Sequence, residues 1–201
     1  MLYPRIGTIN NREVLVDDSQ MTGYKEHMTQ EHRTLFLSGV ITGEMDSQNL
    51  LLALDTISHE PIKLIITSAG GDLDATFLMY DTFKMIKSPI ITIGRFCASA
   101  AAILMAAGEK RYLYEHSKML LHLPSGQMGG DAKDWEIQHK QMQKYKDKSV
   151  DILIECGAKK DRESILKDMD RDFWLEPQEA IEYGLADEII TTKDWQKLIK
   201  G

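Results

Sequence analysis

The chain has 201 residues, of which 43% are hydrophobic and 27% are charged, and its formal net charge is −7. This composition predicts one globular domain with enough apolar residues for a core, and the absence of a basic block argues against a nucleic-acid partner. No apolar run approaches the roughly 20 residues of a membrane span, and no secretory pattern opens the chain, so we expect a cytoplasmic protein without a membrane partner.

The two cysteines, Cys97 and Cys156, could form one disulfide at most. They do not combine with histidines at the spacing of a zinc site, so no metal is expected. Cys97 lies two residues before Ser99 and is an alternative candidate nucleophile. However, buried cysteine commonly behaves as a small hydrophobic residue.

The first part of the chain, residues 1–23, mixes polar residues with a proline and scattered glycines. This pattern predicts a flexible arm or a short hairpin, followed by a weak helix over 24–30.

Apolar runs then alternate with helical patterns. Strands are predicted over 35–41, 62–67, 89–94, 111–114 and 119–121; helices are predicted over 46–57, from a Gly70-Gly71 turn to about 86, and from Ser99 onward. This alternation predicts a largely parallel sheet covered by helices.

The C-terminal part begins with one long helix over 131–156, whose apolar stripe starts at Trp135. The helix is longer than a simple attachment to the domain needs, so we expect it to project and to pack against a partner subunit. The remaining elements are helices over 161–167 and 177–183, a strand over 188–191 and a helical turn over 194–199.

Three candidate functional features fall at the carboxyl ends of predicted strands, where sites on parallel sheets tend to lie. Ser99 stands at a strand-to-helix corner, His122 ends a short apolar strand before a proline and a glycine-bearing loop, and Gly70 and Gly71 follow another strand. A serine hydroxyl becomes nucleophilic when a base takes its proton, and glycine amides can approach a ligand closely. Each feature also has a purely structural interpretation: tight helix packing for Ser99, a hydrogen-bonded core histidine for His122, and a tight turn for Gly70 and Gly71.

Asp172 is the fourth candidate, because it stands directly before the run Phe-Trp-Leu and could be held at the edge of the core. A solvated acidic turn is the alternative interpretation.

Together these features resemble the proteolytic subunit of the Clp protease, the ClpP family, over about 35–190. The matching segments, in family order, are Thr67-Ser68-Ala69-Gly70-Gly71, Tyr80-Asp81-Thr82, Cys97-Ala98-Ser99-Ala100, Leu121-His122-Leu123-Pro124, Asp134-Trp135-Glu136-Ile137-Gln138, Asp170-Arg171-Asp172-Phe173 and 179–187. The resemblance implies an α/β, ClpP/crotonase-like fold with repeated β-β-α units, a mostly parallel sheet and a projecting handle helix. It divides the chain into an N-terminal arm or axial loop, 1–23, and one peptidase domain, 24–201, with the handle at about 123–156.

The resemblance also implies a serine endopeptidase that cleaves unfolded polypeptides through an acyl-enzyme. Ser99 would be the nucleophile, His122 the general base and Asp172 the residue that orients the imidazole. The backbone amides of Gly71 and Ala100 would form the oxyanion hole.

Substrate and partner contacts follow from the same resemblance. An extended substrate would bind as an added strand against Gly70, Gly71, Leu123 and Pro124. The chain would form a homo-oligomer of two stacked heptameric rings. The oligomer contacts would be Trp135, Asp170 and Arg171.

A Clp-class AAA+ unfoldase would feed the chamber and would bind ATP, so this chain itself needs no cofactor. Lys63 and Ile65 stand where the family generally places aromatic residues for docking that partner. Two alternatives stay open: a catalytically silent or partner-activated ring subunit, and a crotonase-like enzyme that acts on acyl-CoA.

Overall fold

The computed structural model describes residues 5–9, 12–16, 18–43, 47–191, 194–195 and 198, with side chains described from residue 23 onward. The strands are β1 (Arg5–Ile9), β2 (Arg12–Val16), β3 (Thr34–Ile41), β4 (Ile62–Gly71), β5 (Ile90–Ala98), β6 (Lys110–Tyr114), β7 (Met119–Leu121), β8 (Phe173–Leu175) and β9 (Glu188–Ile190). The helices are α1 (Asp18–His32), α2 (Ser47–Ile57), α3 (Leu73–Met85), α4 (Ala100–Ala106), α5 (Ala132–Glu155), α6 (Arg162–Asp168) and α7 (Pro177–Tyr183).

The main sheet is mostly parallel, as the alternation of strands and helices predicts. Its path runs β3-β4-β5-β6-β9, and every pair along that path is parallel. β7 continues the sheet beside the second half of β5, and β8 pairs antiparallel with β7. Helices α2, α3 and α4 provide the crossovers that successive parallel strands require.

The core lies on both faces of the central strands, which is why those strands read as apolar runs. Leu64 and Ile66 of β4 are fully buried, as is Ile93 of β5. All seven residues of α4 are buried, and small alanine side chains let this helix lie close against the sheet. α4 is therefore a core helix that fixes the residue immediately before it, Ser99.

Two strands extend beyond their predicted ends. β4 continues to Gly71, and its last residues pair with Val40 and Ile41, so the predicted Gly70-Gly71 turn is wrong: the glycines end a strand. β5 continues from the predicted end at Gly94 to Ala98, because it pairs with β4 after a register shift and then with β7.

The strand β8 was not predicted at all. It has three residues, and one of them, Trp174, is exposed, so it carries no clear periodicity. Its existence depends on pairing with β7, which local sequence does not reveal.

At the N-terminus β1 and β2 form an antiparallel pair. Of the two predicted possibilities for this part, a flexible arm or a short hairpin, this pairing agrees with the hairpin. α1 begins at Asp18, earlier than the predicted 24. Asp46, the predicted first residue of α2, lies outside the described residues, and so does half of the predicted turn over 194–199. The division into an arm, 1–23, and a peptidase domain, 24–201, stays a prediction.

The long helix α5 has 24 residues and begins with a capping box in which Asp131 accepts from backbone amides. Its first part is exposed, including Trp135 and Ile137, whereas Val150 and Leu153 near its end are buried in the core. The helix therefore projects from the domain. Residues 122–131, which lead into it, form neither helix nor strand.

Candidate active site

Ser99 occupies a strained corner between β5 and α4. Its backbone has φ 57° and ψ −125°, and among the described residues only Arg33 is another non-glycine with positive φ. The corner is fixed from both sides, because the Ser99 amide donates to the Leu120 carbonyl at 2.8 Å and the Ala102 amide donates to the Ser99 carbonyl at 2.9 Å. Such strain persists only where the surrounding structure enforces it, and it is concentrated at functional sites.

Gly70 makes this corner possible. It has φ +95°, and a Cβ at this position would lie 2.7 Å from the Ala98 carbonyl oxygen and 2.8 Å from the Ser99 Cβ. The end of β4 therefore lies directly against the Ser99 corner, at a distance that only glycine permits.

His122 follows β7 and is half-buried. Its Nδ1 lies 2.7 Å from the Leu123 carbonyl oxygen. Because a carbonyl oxygen can only accept, Nδ1 carries a proton, and in a neutral imidazole this leaves the lone pair on Nε2. This tautomer is the one that a general base needs when it accepts a proton through Nε2.

Ser99 and His122 line one cavity of about 250 Å³. Among the described residues no hydrogen bond joins the Ser99 hydroxyl to the imidazole. The structure thus brings the two candidate residues to one site without a hydrogen bond between them.

Asp172 reaches the same neighbourhood through β8. The antiparallel pairing of β7 with β8 ends at Leu121 and Phe173, and His122 and Asp172 are the residues that directly adjoin this last pair. Asp172 is exposed and lines a shallow depression together with His122, and no hydrogen bond between the two is formed among the described residues.

The expected oxyanion amides also lie at this cavity, because Gly71 and Ala100 are both in its wall. Ala100 is the first residue of α4, so its amide has no acceptor within the helix. On the other side, pairing of β4 with β5 ends at Ser68 and Cys97, which leaves the last residues of β4 facing the Ser99 corner.

The second expected substrate contact, Leu123 and Pro124, is engaged within the chain. The Leu123 amide donates to the Met169 carbonyl at 2.9 Å, and the Leu123 carbonyl accepts from His122. Pro124 lines the cavity but has no amide hydrogen to donate. Substrate pairing through these two residues stays a prediction.

Cys97 is fully buried, and burial raises the pKa of its thiol, so the thiolate that a cysteine nucleophile needs is disfavoured. The expected oligomer contacts Trp135, Asp170 and Arg171 are all exposed, and the last two form an ion pair at 3.7 Å. Within the described ranges no group of three or more His, Cys, Asp or Glu side chains could hold a metal ion. No helix in that part of the chain is long and apolar enough to cross a membrane.

Comparison with known proteins decides the family. The family model described as Clp protease matches residues 18–193. The chain belongs to the Clp protease family. It is a serine-type peptidase with the α/β fold that the sequence predicts, and the predicted resemblance is confirmed.

Three curated relatives of this Clp protease family member cover most of its length. ATP-dependent Clp protease proteolytic subunit 1 of Rhodopirellula baltica is 37% identical over 168 residues, which are 80% of this chain and 73% of the relative. The proteolytic subunit of Paracoccus denitrificans is 35% identical over 80% of this chain and 82% of its own length. Proteolytic subunit 1 of Protochlamydia amoebophila is 35% identical over 87% of this chain and 88% of its own length.

One wall of the Clp protease cavity comes from α5, which contributes Met142, Tyr145, Ser149 and Leu153. These residues are three or four positions apart and so lie on one helix face. The sequence shows this stripe, but sequence reasoning favoured a partner subunit over the domain as the surface that it packs against.

Proposed function

We propose that this Clp protease chain hydrolyses peptide bonds of unfolded polypeptides through an acyl-enzyme on Ser99. The observation that carries the proposal is the strained Ser99 corner, which opens on the same cavity as His122. Nε2 of His122 takes the hydroxyl proton as Ser99 attacks the carbonyl carbon, and the amides of Gly71 and Ala100 stabilise the oxyanion. The imidazolium then protonates the leaving amine, and water repeats these steps on the ester.

Asp172 is proposed as the orienting residue. Closing the triad requires the Nδ1 proton of His122 to turn from the Leu123 carbonyl to the Asp172 carboxylate. The pairing of β7 with β8 supports this proposal, since the two residues directly adjoin the last pair of these strands. A carboxylate in this position stabilises the imidazolium that forms during catalysis.

Assembly is proposed to drive that closure. Residues 122–131 form neither helix nor strand, and the exposed Trp135 and Ile137 follow on α5. Exposed apolar groups of this kind mark interaction surfaces. We infer a homo-oligomer of two stacked heptameric rings joined through this handle, with Asp170 and Arg171 at the contact. The open triad favours a subunit whose activity depends on this assembly.

The names of the relatives also suggest an ATP-dependent partner. We propose that a Clp-class AAA+ unfoldase delivers the substrate and binds ATP, while this chain works without a cofactor, in the cytoplasm. Of the two expected docking positions, Ile65 is buried, and Lys63 is half-buried with Nζ 3.4 Å from the His32 carbonyl. Burial lowers the pKa of Lys63. These positions therefore support a docking surface that differs from the aromatic one.

The test is hydrolysis of a short fluorogenic peptide by the purified protein and by Ser99→Ala, with the mass in solution measured for both. We expect cleavage by a ring-sized particle and its loss in the variant. A ring-sized particle that stays inactive, even with a Clp-class ATPase added, would identify a silent subunit. Turnover of an acyl-CoA thioester without peptide cleavage would favour the crotonase-like alternative.

A further inference from the structure

A buried hydroxyl without a partner lies in the wall of the active-site cavity. Ser149, in the C-terminal half of α5, is 2% exposed, and its Oγ makes no hydrogen bond with any described residue. Buried hydroxyls are usually paired, because an unpaired one has lost its water without replacement. A serine within a helix commonly bonds to the carbonyl four residues earlier, here Tyr145, and Ser149 does not.

Most of the residues that line this cavity are apolar, and they include Ile103, Leu121, Met142, Leu153 and Met169. The Tyr145 hydroxyl, one turn before Ser149, is already used, since it donates to the Asp74 carboxylate at 2.7 Å. Ser125 and Asp72 also line the cavity, but both are exposed. The Asp72 carboxylate is already used, since it accepts from the Ala75 amide at 2.7 Å. Ser149 is thus the polar side chain that is buried in this cavity.

The proposed chemistry decides which part of a substrate enters the cavity. The attacked carbonyl carbon must lie at the Ser99 hydroxyl, with its oxygen toward the amides of Gly71 and Ala100. The nearest side chain is then that of the residue which donates this carbonyl, here called the acyl residue. Its side chain begins two bonds from the attacked carbonyl carbon, so it would lie at the cavity that Ser99 opens on, where Ser149 lies.

We propose that Ser149 is a specificity-determining residue, which favours an uncharged acyl residue with a hydrogen-bonding end, asparagine or glutamine, over an aliphatic residue of the same shape. This inference rests on the proposed function. The Ser149 side chain lines the cavity, and its unpaired hydroxyl can change its staggered position to meet a polar group that enters there. A site with a buried polar group discriminates against an analogue that leaves the group unpaired, whereas an entirely apolar wall would favour the aliphatic analogue. One hydroxyl cannot replace the hydration of a full charge, so charged acyl residues gain nothing from it.

The experiment compares fluorogenic peptides that differ only at the acyl residue, in two pairs of similar shape: asparagine with leucine, and glutamine with methionine. The assembled protein is measured beside Ser149→Ala, Ser149→Cys and the matched control Ser117→Ala, because Ser117 is also buried with an unpaired hydroxyl but does not line this cavity. We expect the ratio of kcat/KM for asparagine over leucine to fall roughly tenfold in both Ser149 variants. The ratio in Ser117→Ala should stay at the value of the unaltered protein.

A ratio of two substrates separates selectivity from folding, because a damaged protein loses activity toward both. If the Ser149 variants change both rates in proportion and keep the ratio, the inference is wrong while the proposed function stands. Cleavage of none of the four peptides by the unaltered protein would overturn the proposed function and this inference with it. Thermal melts confirm that each variant is folded.

Discussion

Replacing Gly70 by alanine tests whether the conformation of the Ser99 corner depends on its close packing against β4. Gly70 has φ +95°, and the added Cβ would meet the Ala98 carbonyl oxygen at 2.7 Å, the Ser99 Cβ at 2.8 Å and the Ala100 nitrogen at 3.0 Å. Two of these three atoms belong to the backbone, so no side-chain rotation relieves the contact. The corner itself must move.

The structure sets the size of the effect. A side chain held in the left-handed region costs about 1–3 kcal/mol in stability. Carbon atoms prefer separations of about 3.5–4.0 Å, so relief of a 2.8 Å contact moves Ser99 or β4 by at least about 0.5 Å. Because a misplacement of about 1 Å can lower a rate a hundredfold, we expect Gly70→Ala to lower kcat/KM roughly ten- to a hundredfold.

The assay combines peptide hydrolysis, the rate at which a fluorophosphonate labels Ser99, and thermal melting. Gly23→Ala is the matched control, because Gly23 lies in α1 with no atom within 4 Å of the added Cβ. That exchange should leave activity unchanged and should stabilise the helix by about 0.5–1 kcal/mol. Normal hydrolysis and normal labelling in Gly70→Ala would refute the argument, whatever the melting temperature.

Three further predictions follow from single side chains. Asp172→Asn should lower kcat by about 10³–10⁴-fold with an unchanged thermal melt, and an unchanged kcat would remove Asp172 from the triad. Burial opposes ionisation of Asp55, but hydrogen bonds from Ser88 and His59 outweigh it and lower its pKa from 3.8 to about 2. This stabilisation is complete above the unfolded pKa and is lost as pH falls through the folded one, so the melting deficit of Asp55→Asn at pH 7 should vanish between about pH 4 and pH 2. Arg111→Met removes a guanidinium that forms an ion pair and also donates to two backbone carbonyls. This variant should lower the free energy of unfolding in urea by about 2–4 kcal/mol. A loss below about 0.5 kcal/mol, the effect of an exposed ion pair, would contradict the view that these contacts stabilise the fold.

The sequence was sufficient where a strand is buried on both faces, because burial leaves an uninterrupted apolar run. The strand predicted over 119–121 has the bounds of β7, and His122 follows it as expected. It was insufficient where pairing is set by distant residues. The end of β5 around Arg95 is partly exposed and pairs only after a register shift, so it shows no apolar run.

The candidate site divides in the same way. The residue types of Ser99 and His122, and their places at strand ends, could be predicted from local patterns and from the resemblance. The positive φ of Ser99 could not, because it depends on Gly70 lying against the corner from another strand. The place of Asp172 likewise depends on β8, whose three residues form a strand only against β7.

The link between Leu123 and Met169 explains why the proposed triad can open without disturbing the sheet. The Leu123 amide donates to the Met169 carbonyl, which ties the segment after β7 to the end of α6, three residues before Asp172. His122 and Asp172 are thus on two segments that are bonded to each other, and both residues adjoin the last pair of β7 and β8. In the observed state Nδ1 of His122 bonds to the Leu123 carbonyl, so the proton that a closed triad would direct to Asp172 is already used. Because Leu123 also begins the segment that leads to the exposed start of α5, a partner that orders this segment would act directly on the proposed general base.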